Sequence, residues 1–402
     1  MTSIRQAVLV GLSLSSHTLS AQAPAWDGFV GFPAFADSLL VRWPSIVMVG
    51  DTIVAAANLF PTDTASFTGK NTLVIVRQPG GALPLPAGSF TFAHPQIASD
   101  GRGGLHMVWG EPREKSTSFA MWLASPGSLW HSVFRDGRWS SPRKLLSGRF
   151  LSWGSDGRQL VVDASGRVHI ALPAALPTEL AIVYLRLDKS GTIEDEVHWG
   201  GGSYATITSM GGDSLVVAYA TADSLTPRTG SAMFVRISGN GGRVWGSPSL
   251  IARSAQQNIS PLVVERSSAE LHALWVEGSS AEGQVRAYTA GLSADRWTET
   301  PTRVAVPGVL FRVMSAAVEC GEYAVLMEYL VSMNDDPRVR VLAVRVRNGR
   351  AFGAEVFPQL ETIGNVGLAP DGNSLRLVFS GGKPGAETPF SATATSRACV
   401  GK

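Results

Sequence analysis

Short apolar runs separated by Gly-containing turns recur along most of the chain. Residues 94–111 (HPQIASDGRGGLHMVWGE) hold two such runs on either side of a Gly-rich turn at 100–104. Two apolar runs joined by a tight Gly-containing turn predict a β-hairpin. Comparable hairpins are predicted at 44–57, 160–172, 208–221, 261–277, 315–328 and 367–380. Hairpins repeated at intervals of roughly fifty residues indicate a repeat architecture.

A second hairpin follows the first in several of these repeats. It has Asp or Asn in its turn, then Trp or Phe, then small polar residues, as at 134–142, 237–248, 292–301 and 347–355. Four strands in a unit of roughly fifty residues, with turn residues at fixed offsets, are typical of a β-propeller blade. We therefore predict an all-β protein, a β-propeller with seven blades of four antiparallel strands. Six blades are the alternative if one unit is misassigned.

The two ends of the chain complete this organisation. Residues 1–25 combine Arg5, an apolar run at 7–14 and small residues at 21–25, a pattern that predicts a secretory signal peptide. We therefore expect a secreted or periplasmic protein, with residues 26–402 forming one propeller domain. The last repeat shows only three strands, so a strand from 27–41 is expected to complete it and to join the two ends of the ring.

Composition excludes some partners. The 34 basic and 32 acidic residues are interspersed and give a net charge of +2, which argues against nucleic acid as a partner. No apolar run after the signal reaches the roughly 18 residues that a membrane-spanning helix needs. The only cysteines, Cys320 and Cys399, either pair as a disulfide or remain free thiols. The oligomeric state is not indicated by these features.

Three histidines, His106, His169 and His272, fall at the same place in three repeats. A residue needed once in a site is not expected in three copies, so we predict that they pack between strands and hydrogen-bond a neighbouring turn. The chain contains no H-x-x-x-H or H-E-x-x-H pattern, and its Gly-rich stretches lack the Lys-Ser/Thr of a phosphate loop. We therefore expect neither a metal nor a cofactor.

Three glutamates share one register at the ends of second strands. The segments LHMVWGE (105–111), LHALWVE (271–277) and EYAVLME (322–328) align so that each ends in glutamate. Arg42 and Arg312 each stand just before a first strand, which should bring them to the same rim of the propeller. We take Glu111, Glu277 and Glu328 as candidate catalytic residues, with Arg42 and Arg312 as substrate-binding residues.

Carboxylates beside arginines in one cleft suit acid/base work on a glycosidic bond, because that reaction needs one proton donor and one nucleophile or base. The alternative is that these glutamates end their strands in water, with ion pairs worth about 0–1 kcal/mol each. Trp109 and Trp275 each lie two residues before a rim glutamate and therefore share its face of the strand. This placement suits stacking on a sugar ring, although packing between blades is the more frequent use of such residues.

Two motifs resemble those of sialidase-like propellers. Residues 238–245 (SGNGGRVW) resemble the Asp-box, S-x-[D/N]-x-G-x-x-W, and residues 41–44 (VRWP) resemble the F/Y-R-I-P stretch of the first blade. The resemblance implies that Arg42 grips a substrate carboxylate and that Asp63, in the loop after the first hairpin, is the catalytic acid/base. The chain departs from the family in lacking a second arginine after Ala57 and a recognisable Tyr–Glu nucleophile pair.

The function predicted from these features is carbohydrate recognition at the central cleft of an exported propeller, with glycoside hydrolysis as a possible activity. The expected partner is a glycan or glycoconjugate. One alternative is a non-catalytic propeller that binds a protein or scaffolds a surface complex. Another is a propeller polysaccharide lyase, for which Tyr329 beside Arg312 would supply the base.

Overall fold

The computed structural model describes residues 25–31, 39–61, 72–88, 93–112, 127–150, 158–222, 230–254, 259–267, 270–278, 286–293, 296–297, 301–304, 309–319, 322–330, 339–347, 350–356, 362–371, 374–383 and 386–395. These residues form thirty β-strands, which we group in chain order into units I to VII. No described segment is a helix long and apolar enough to cross a membrane.

Units I to IV lie in the first half of the chain. Unit I contains β2 (Leu39–Val49), β3 (Thr52–Pro61), β4 (Thr72–Gln78) and β5 (Gly81–Ala82). Unit II contains β6 (Ala93–Ser99), β7 (Leu105–Pro112), β8 (Gly127–Arg135), β9 (Arg138–Trp139) and β10 (Arg143–Phe150). Unit III contains β11 (Leu160–Val162), β12 (Val168–Ala175), β13 (Leu180–Leu187) and β14 (Ile193–Gly200). Unit IV contains β15 (Tyr204–Ser209), β16 (Leu215–Ala222), β17 (Ser231–Ser238) and β18 (Ser249–Ser254).

Units V to VII complete the chain, and unit VII takes its last strand from the N-terminal part of the sequence. Unit V contains β19 (Ile259–Ser267), β20 (Glu270–Glu277), β21 (Arg286–Ser293), β22 (Arg296–Trp297) and β23 (Thr302–Val304). Unit VI contains β24 (Val309–Glu319), β25 (Glu322–Leu330), β26 (Val339–Arg347) and β27 (Arg350–Val356). Unit VII contains β28 (Thr362–Asp371), β29 (Ser374–Lys383), β30 (Ala386–Thr395) and β1 (Ala25–Gly31).

Within each unit the paired strands are antiparallel, as the repeated hairpins predict. Successive strands pair in chain order, except that β9 and β10 both pair with β8 and that β22 and β23 both pair with β21. In unit VII the outermost strand is β1, which pairs with β30 from Ala25 opposite Thr395 to Gly31 opposite Phe390. The prediction that an N-terminal strand completes the last unit is therefore confirmed. Units II and III also share one nine-stranded sheet, because the end of β10 pairs with the end of β12.

Contacts between first strands connect the units in chain order. β2 contacts β6, β6 contacts β11, β11 contacts β15, β15 contacts β19, β19 contacts β24, and β24 contacts β28. β28 in turn contacts β2, so the sequence of contacts returns from unit VII to unit I.

The apolar core lies between consecutive sheets, which pack face to face. On β3, Val54 and Ala56 pack with Met107 and Trp109 of unit II. The intervening residues of the same strand, such as Ala55, pack on the other side with Val378 of unit VII. Side chains of a strand alternate between its two faces, so a strand buried on both faces reads as a continuous apolar run. This packing explains why residues 53–57 (IVAAA) show no apolar–polar alternation.

The interface between units III and IV contains the turn at 238–245. The Asn240 side chain stabilises this turn, since its Oδ1 accepts a hydrogen bond from the backbone N–H of Val244 at 2.9 Å. Trp245 packs edge-on against Tyr184, with ring centroids 4.8 Å apart, and against Trp199 at 5.3 Å. The Asn240 amide thus organises the turn, and Trp245 packs against aromatic side chains of unit III.

The backbone of Gly242 lies against the Tyr184 side chain in this interface. A Cβ at Gly242 would overlap the Tyr184 hydroxyl, whereas a Cβ at Gly241 would meet only Asp213 Oδ1, at 3.9 Å. Both glycines have positive φ, +74° for Gly242 and +68° for Gly241, so both need the left-handed conformation.

We expect Gly242→Ala to destabilise the protein much more than Gly241→Ala. Both variants incur the left-handed penalty of about 1–2 kcal/mol, and Gly242→Ala adds an overpacking cost of about 1–3 kcal/mol. Denaturant unfolding of the two variants against the parent measures the difference. Equal losses would show that Tyr184 does not pack against this turn.

Candidate functional site

One edge of each unit is formed where the first strand begins and the second strand ends, and we call this edge the upper rim. Several first strands have a β-bulge close to it, as between Arg42 and Ser45 and between Ala93 and Gln96. His94 lies within the second of these bulges, has a positive φ of 47°, and donates its backbone N–H to Asn58 Oδ1 of unit I at 3.2 Å. Bulges of this kind re-aim side chains and are frequent beside functional sites.

Glu277 is the rim carboxylate with the most defined surroundings. It ends β20 and is half-buried. Its Oε1 accepts a hydrogen bond from Trp275 Nε1 at 2.9 Å, and its Oε2 accepts one from Ser254 Oγ at 2.6 Å. Trp275 belongs to the same strand, whereas Ser254 ends β18 of unit IV. The carboxylate is therefore fixed at the interface between units IV and V.

The expectation that Trp109 and Trp275 stack on a sugar is corrected by their burial. Both side chains are 0% exposed. Trp109 packs in the core between units I and II, and Trp275 packs in the core between units IV and V. They are inter-unit core residues because they lie three and two positions inside their strand ends, where the sheet of the preceding unit covers them. Trp275 also orients Glu277 through its indole N–H.

Glu111 lies at the rim of unit II, near the end of β7, and is half-buried. In the backbone register it is opposite Ser128 of β8. Alternation along β7 gives it the same face as Trp109, which is directed toward unit I. Glu111 and Glu277 therefore lie at different inter-unit interfaces, I/II and IV/V.

The strand register brings two other candidates together. Arg312 of β24 is directly opposite Glu328 of β25, and Tyr329 follows opposite Leu310. Arg42 of β2 is opposite Asn58 of β3 in unit I. The candidates Arg312, Glu328 and Tyr329 thus share the rim of unit VI, adjacent in the contact order to unit V with Glu277.

Some candidates from the sequence lie outside the described residues, and some residues of the site were not identified from the sequence. Asp63, Cys320 and Cys399 are outside the described ranges. Ser254 was missed, because nothing in its local sequence marks it as the partner of a carboxylate 23 positions later. Asn58 and His94 were missed for the same reason: their contact joins two units. Among the described residues, no group of three His, Cys, Asp or Glu side chains is arranged to hold a metal ion.

His169 behaves as predicted for the recurring histidines. It is fully buried, and its Nε2 lies 3.1 Å from Asp163 Oδ2 in the β11–β12 turn. Its Nδ1 lies 2.8 Å from the Tyr184 hydroxyl. Because a carboxylate only accepts, Nε2 carries the proton and Nδ1 accepts from the tyrosine. Burial raises the pKa of Asp163, but hydrogen bonds from Ser165, Arg167 and His169 more than offset this, and the net pKa is lowered.

His106 forms a buried pair with His131, the histidine of the neighbouring strand. Their rings stack with centroids 5.3 Å apart, and His106 Nδ1 lies 3.1 Å from His131 Nε2. Burial lowers the pKa of His106 to about 4 and that of His131 to about 3. The nearby His106 and Arg143 lower the pKa of His131 further, because a positive charge beside it disfavours its protonation. Both rings are therefore neutral at physiological pH.

His198, on the outer strand β14, has the opposite electrostatics. Its Nδ1 lies 2.5 Å from Glu179 Oε1, and its Nε2 lies 2.7 Å from Glu196 Oε1. Partial burial lowers its pKa, but the hydrogen bonds to Glu196 and Glu179 outweigh burial, so the net pKa is raised. These contacts join the β12–β13 turn to β14. Because its pKa is raised, His198 stays protonated to a higher pH than an ordinary histidine.

Solved structures resemble this chain, whereas sequence comparisons do not identify a family. No protein-family model matches it, and no curated protein sequence matches it. An ulvan lyase described as a new family of polysaccharide lyase aligns with a TM-score of 0.57 and 12% identity, over 92% of this chain and 96% of that chain. The same lyase bound to -[GlcA(1-4)Rha3S]- aligns equally well.

Two further structures resemble the chain over about half of their own length. A puromycin-hydrolyzing peptidase from Mycobacterium tuberculosis aligns with a TM-score of 0.54 and 15% identity, over 92% of this chain and 54% of that chain. A sialidase from Trypanosoma rangeli aligns with a TM-score of 0.49 and 14% identity, over 88% of this chain and 54% of that chain. The all-β prediction is confirmed by the thirty strands of the described residues. Identities this low show the fold alone.

We expect the free energy of unfolding to fall as the pH is lowered from about 6.5 to about 4. In that range the unfolded chain binds protons at His106 and His131 while the folded chain does not, so stability is full above pH 6.5 and is lost on acidification. His106 alone would account for about 3 kcal/mol at pH 4.

Chemical denaturation at several pH values, on the parent and on His131→Phe, tests this expectation. The variant should lose less stability on acidification than the parent, because one of the two buried titrating rings is gone. Identical pH dependences for the two proteins would show that the pair is not held neutral by burial.

Proposed function

We propose that this chain is an exported β-propeller of the sialidase-like type, with seven blades, that binds carbohydrate at its upper rim. Seven blades are supported by the seven antiparallel units and by the first-strand contacts that return from unit VII to unit I. Strand β1, paired with β30, would serve as the closing strand of the ring. Such closure would leave no exposed sheet edge between the first and last blades.

The observation that carries the functional proposal is the carboxylate of Glu277. It is half-buried at the rim, and each of its oxygens has a defined hydrogen-bond donor from the protein. Carbohydrates are recognised by a few such oriented polar groups, because each sugar hydroxyl needs a partner at a fixed position. The likeness of the fold to a polysaccharide lyase agrees with this proposal.

We propose cleavage of a glycan as a second activity, located at the rim of unit VI. Arg312 and Glu328 face each other in the strand register there, and Tyr329 follows. A lyase would use Tyr329 as the base beside Arg312, and a hydrolase would need a second carboxylate near Glu328. Arg312 and Glu328 are adjacent at one rim, and the fold is similar to that of a lyase. Both elimination and hydrolysis are therefore tested below.

Export is proposed on the sequence pattern of residues 1–25. The described structure begins with β1 at Ala25, so removal of the preceding residues would leave the β1–β30 pairing essentially intact. Residues 26–402 would then form the single propeller domain.

We expect Glu328→Gln to weaken glycan binding or turnover at least tenfold, because it removes a rim charge. Glu322→Gln is the matched control, since Glu322 begins the same strand and lies at the opposite edge of unit VI. The measurement is a glycan array combined with a panel of chromogenic glycosides and an unsaturated-uronate absorbance assay, using residues 26–402. Absence of binding and turnover for every glycan with the parent protein would refute the proposed function.

A further inference from the structure

The hydrogen bonds to Glu277 come from two different units. Trp275 Nε1 donates to Oε1 from within β20, two residues earlier on the same face of the strand. Ser254 Oγ donates to Oε2 across the interface, from the last residue of β18 in unit IV. The orientation of the carboxylate therefore depends on the correct packing of unit IV against unit V.

Both donors are themselves fixed. Trp275 is 0% exposed and packs with Ala273 and Ala290 in the core between these units. Ser254 is 7% exposed and lies opposite Ser231 in the register of β17 and β18. An indole N–H can only donate, so Oε1 of Glu277 must accept. Neither donor can be withdrawn without rearranging a buried side chain.

A carboxylate has about four lone-pair positions, and the two protein donors occupy two of them. One position remains on each oxygen, and the half-buried side chain leaves part of the group open to solvent. Two adjacent acceptor positions at a fixed spacing match two neighbouring hydroxyl groups of a sugar, which both donate.

We propose that Glu277 is a substrate-binding residue that accepts hydrogen bonds from a vicinal diol of a glycan, and that Ser254 of the neighbouring unit is its positioning residue. The inference rests on the proposed glycan-binding function. It changes the expected role of Glu277 from a catalytic residue to a hydrogen-bond acceptor for the glycan. It also makes the interface between units IV and V a subsite distinct from the Arg312–Glu328 pair in unit VI.

The test is affinity gel electrophoresis of residues 26–402 with arabinan, galactomannan and polygalacturonate as probes. Each polysaccharide is used in its native form and after periodate oxidation and borohydride reduction, which destroys vicinal diols. We expect the parent protein to be retarded by at least one native polysaccharide and by none of the oxidised forms. Ser254→Ala should weaken that binding at least tenfold, and Ser254→Thr, which keeps a hydroxyl donor, should restore it to within about threefold.

Two further variants separate positioning from folding. Ser249→Ala, at the exposed opposite end of β18, should bind like the parent. Glu277→Asp keeps the charge but is one methylene shorter, so it cannot hold both donors, and it should bind as weakly as Ser254→Ala. This variant also tests the proposal if Ser254→Ala does not fold.

The outcomes that overturn the proposal are distinct from each other. Binding by Ser254→Ala and Glu277→Asp at the strength of the parent would overturn the positioning role while leaving glycan binding intact. Equal retardation by native and oxidised polysaccharide would overturn the vicinal diol as the ligand group. No retardation of the parent by any glycan would overturn the proposed function together with this inference.

Discussion

Face-to-face packing of consecutive β-sheets is the constraint on which the rest of this structure depends. In unit I the inner strand β3 buries both of its faces, one against the preceding unit and one against the next, as Val54 and Ala55 show on successive positions. A single unit exposes two apolar faces and cannot be stable alone. The first and last units must therefore also pack against each other, as the contact of β28 with β2 and the packing of Val378 with Ala55 indicate.

The same packing determines where polar side chains can act. A residue well inside a second strand is covered by the neighbouring sheet, as Trp275 is, while the residue at the strand end is only half covered, as Glu277 is. Polar groups at the rim then find partners in the adjacent unit. His94 with Asn58 and Glu277 with Ser254 are both contacts between consecutive units. The candidate binding positions are therefore products of the inter-unit interfaces more than of single loops.

The repeats, the strand order within units and the completion of the last unit by β1 were all predictable from the sequence, because hairpin signals are local and the missing strand had only one place to come from. Local chemistry was predictable too, as for Asn240 in its turn and for His169 bonded to the Asp163 turn. Ser254 was not predictable, because its role depends on which face of β18 meets unit V. The stacking role expected for Trp109 and Trp275 was wrong because sequence alternation gives the face of a strand but not the depth to which the next sheet covers it.

The central claim is the proposal that seven units, closed by β1 on β30, form a ring with the candidate residues on one rim. A crystal structure of residues 26–402 tests it most directly. We expect seven successive strand units around one axis, with β1 hydrogen-bonded to β30 and Ser254 hydrogen-bonded to Glu277 between the fourth and fifth units. Six units around the axis, or a gap between the units that contain β2 and β28, would contradict this claim.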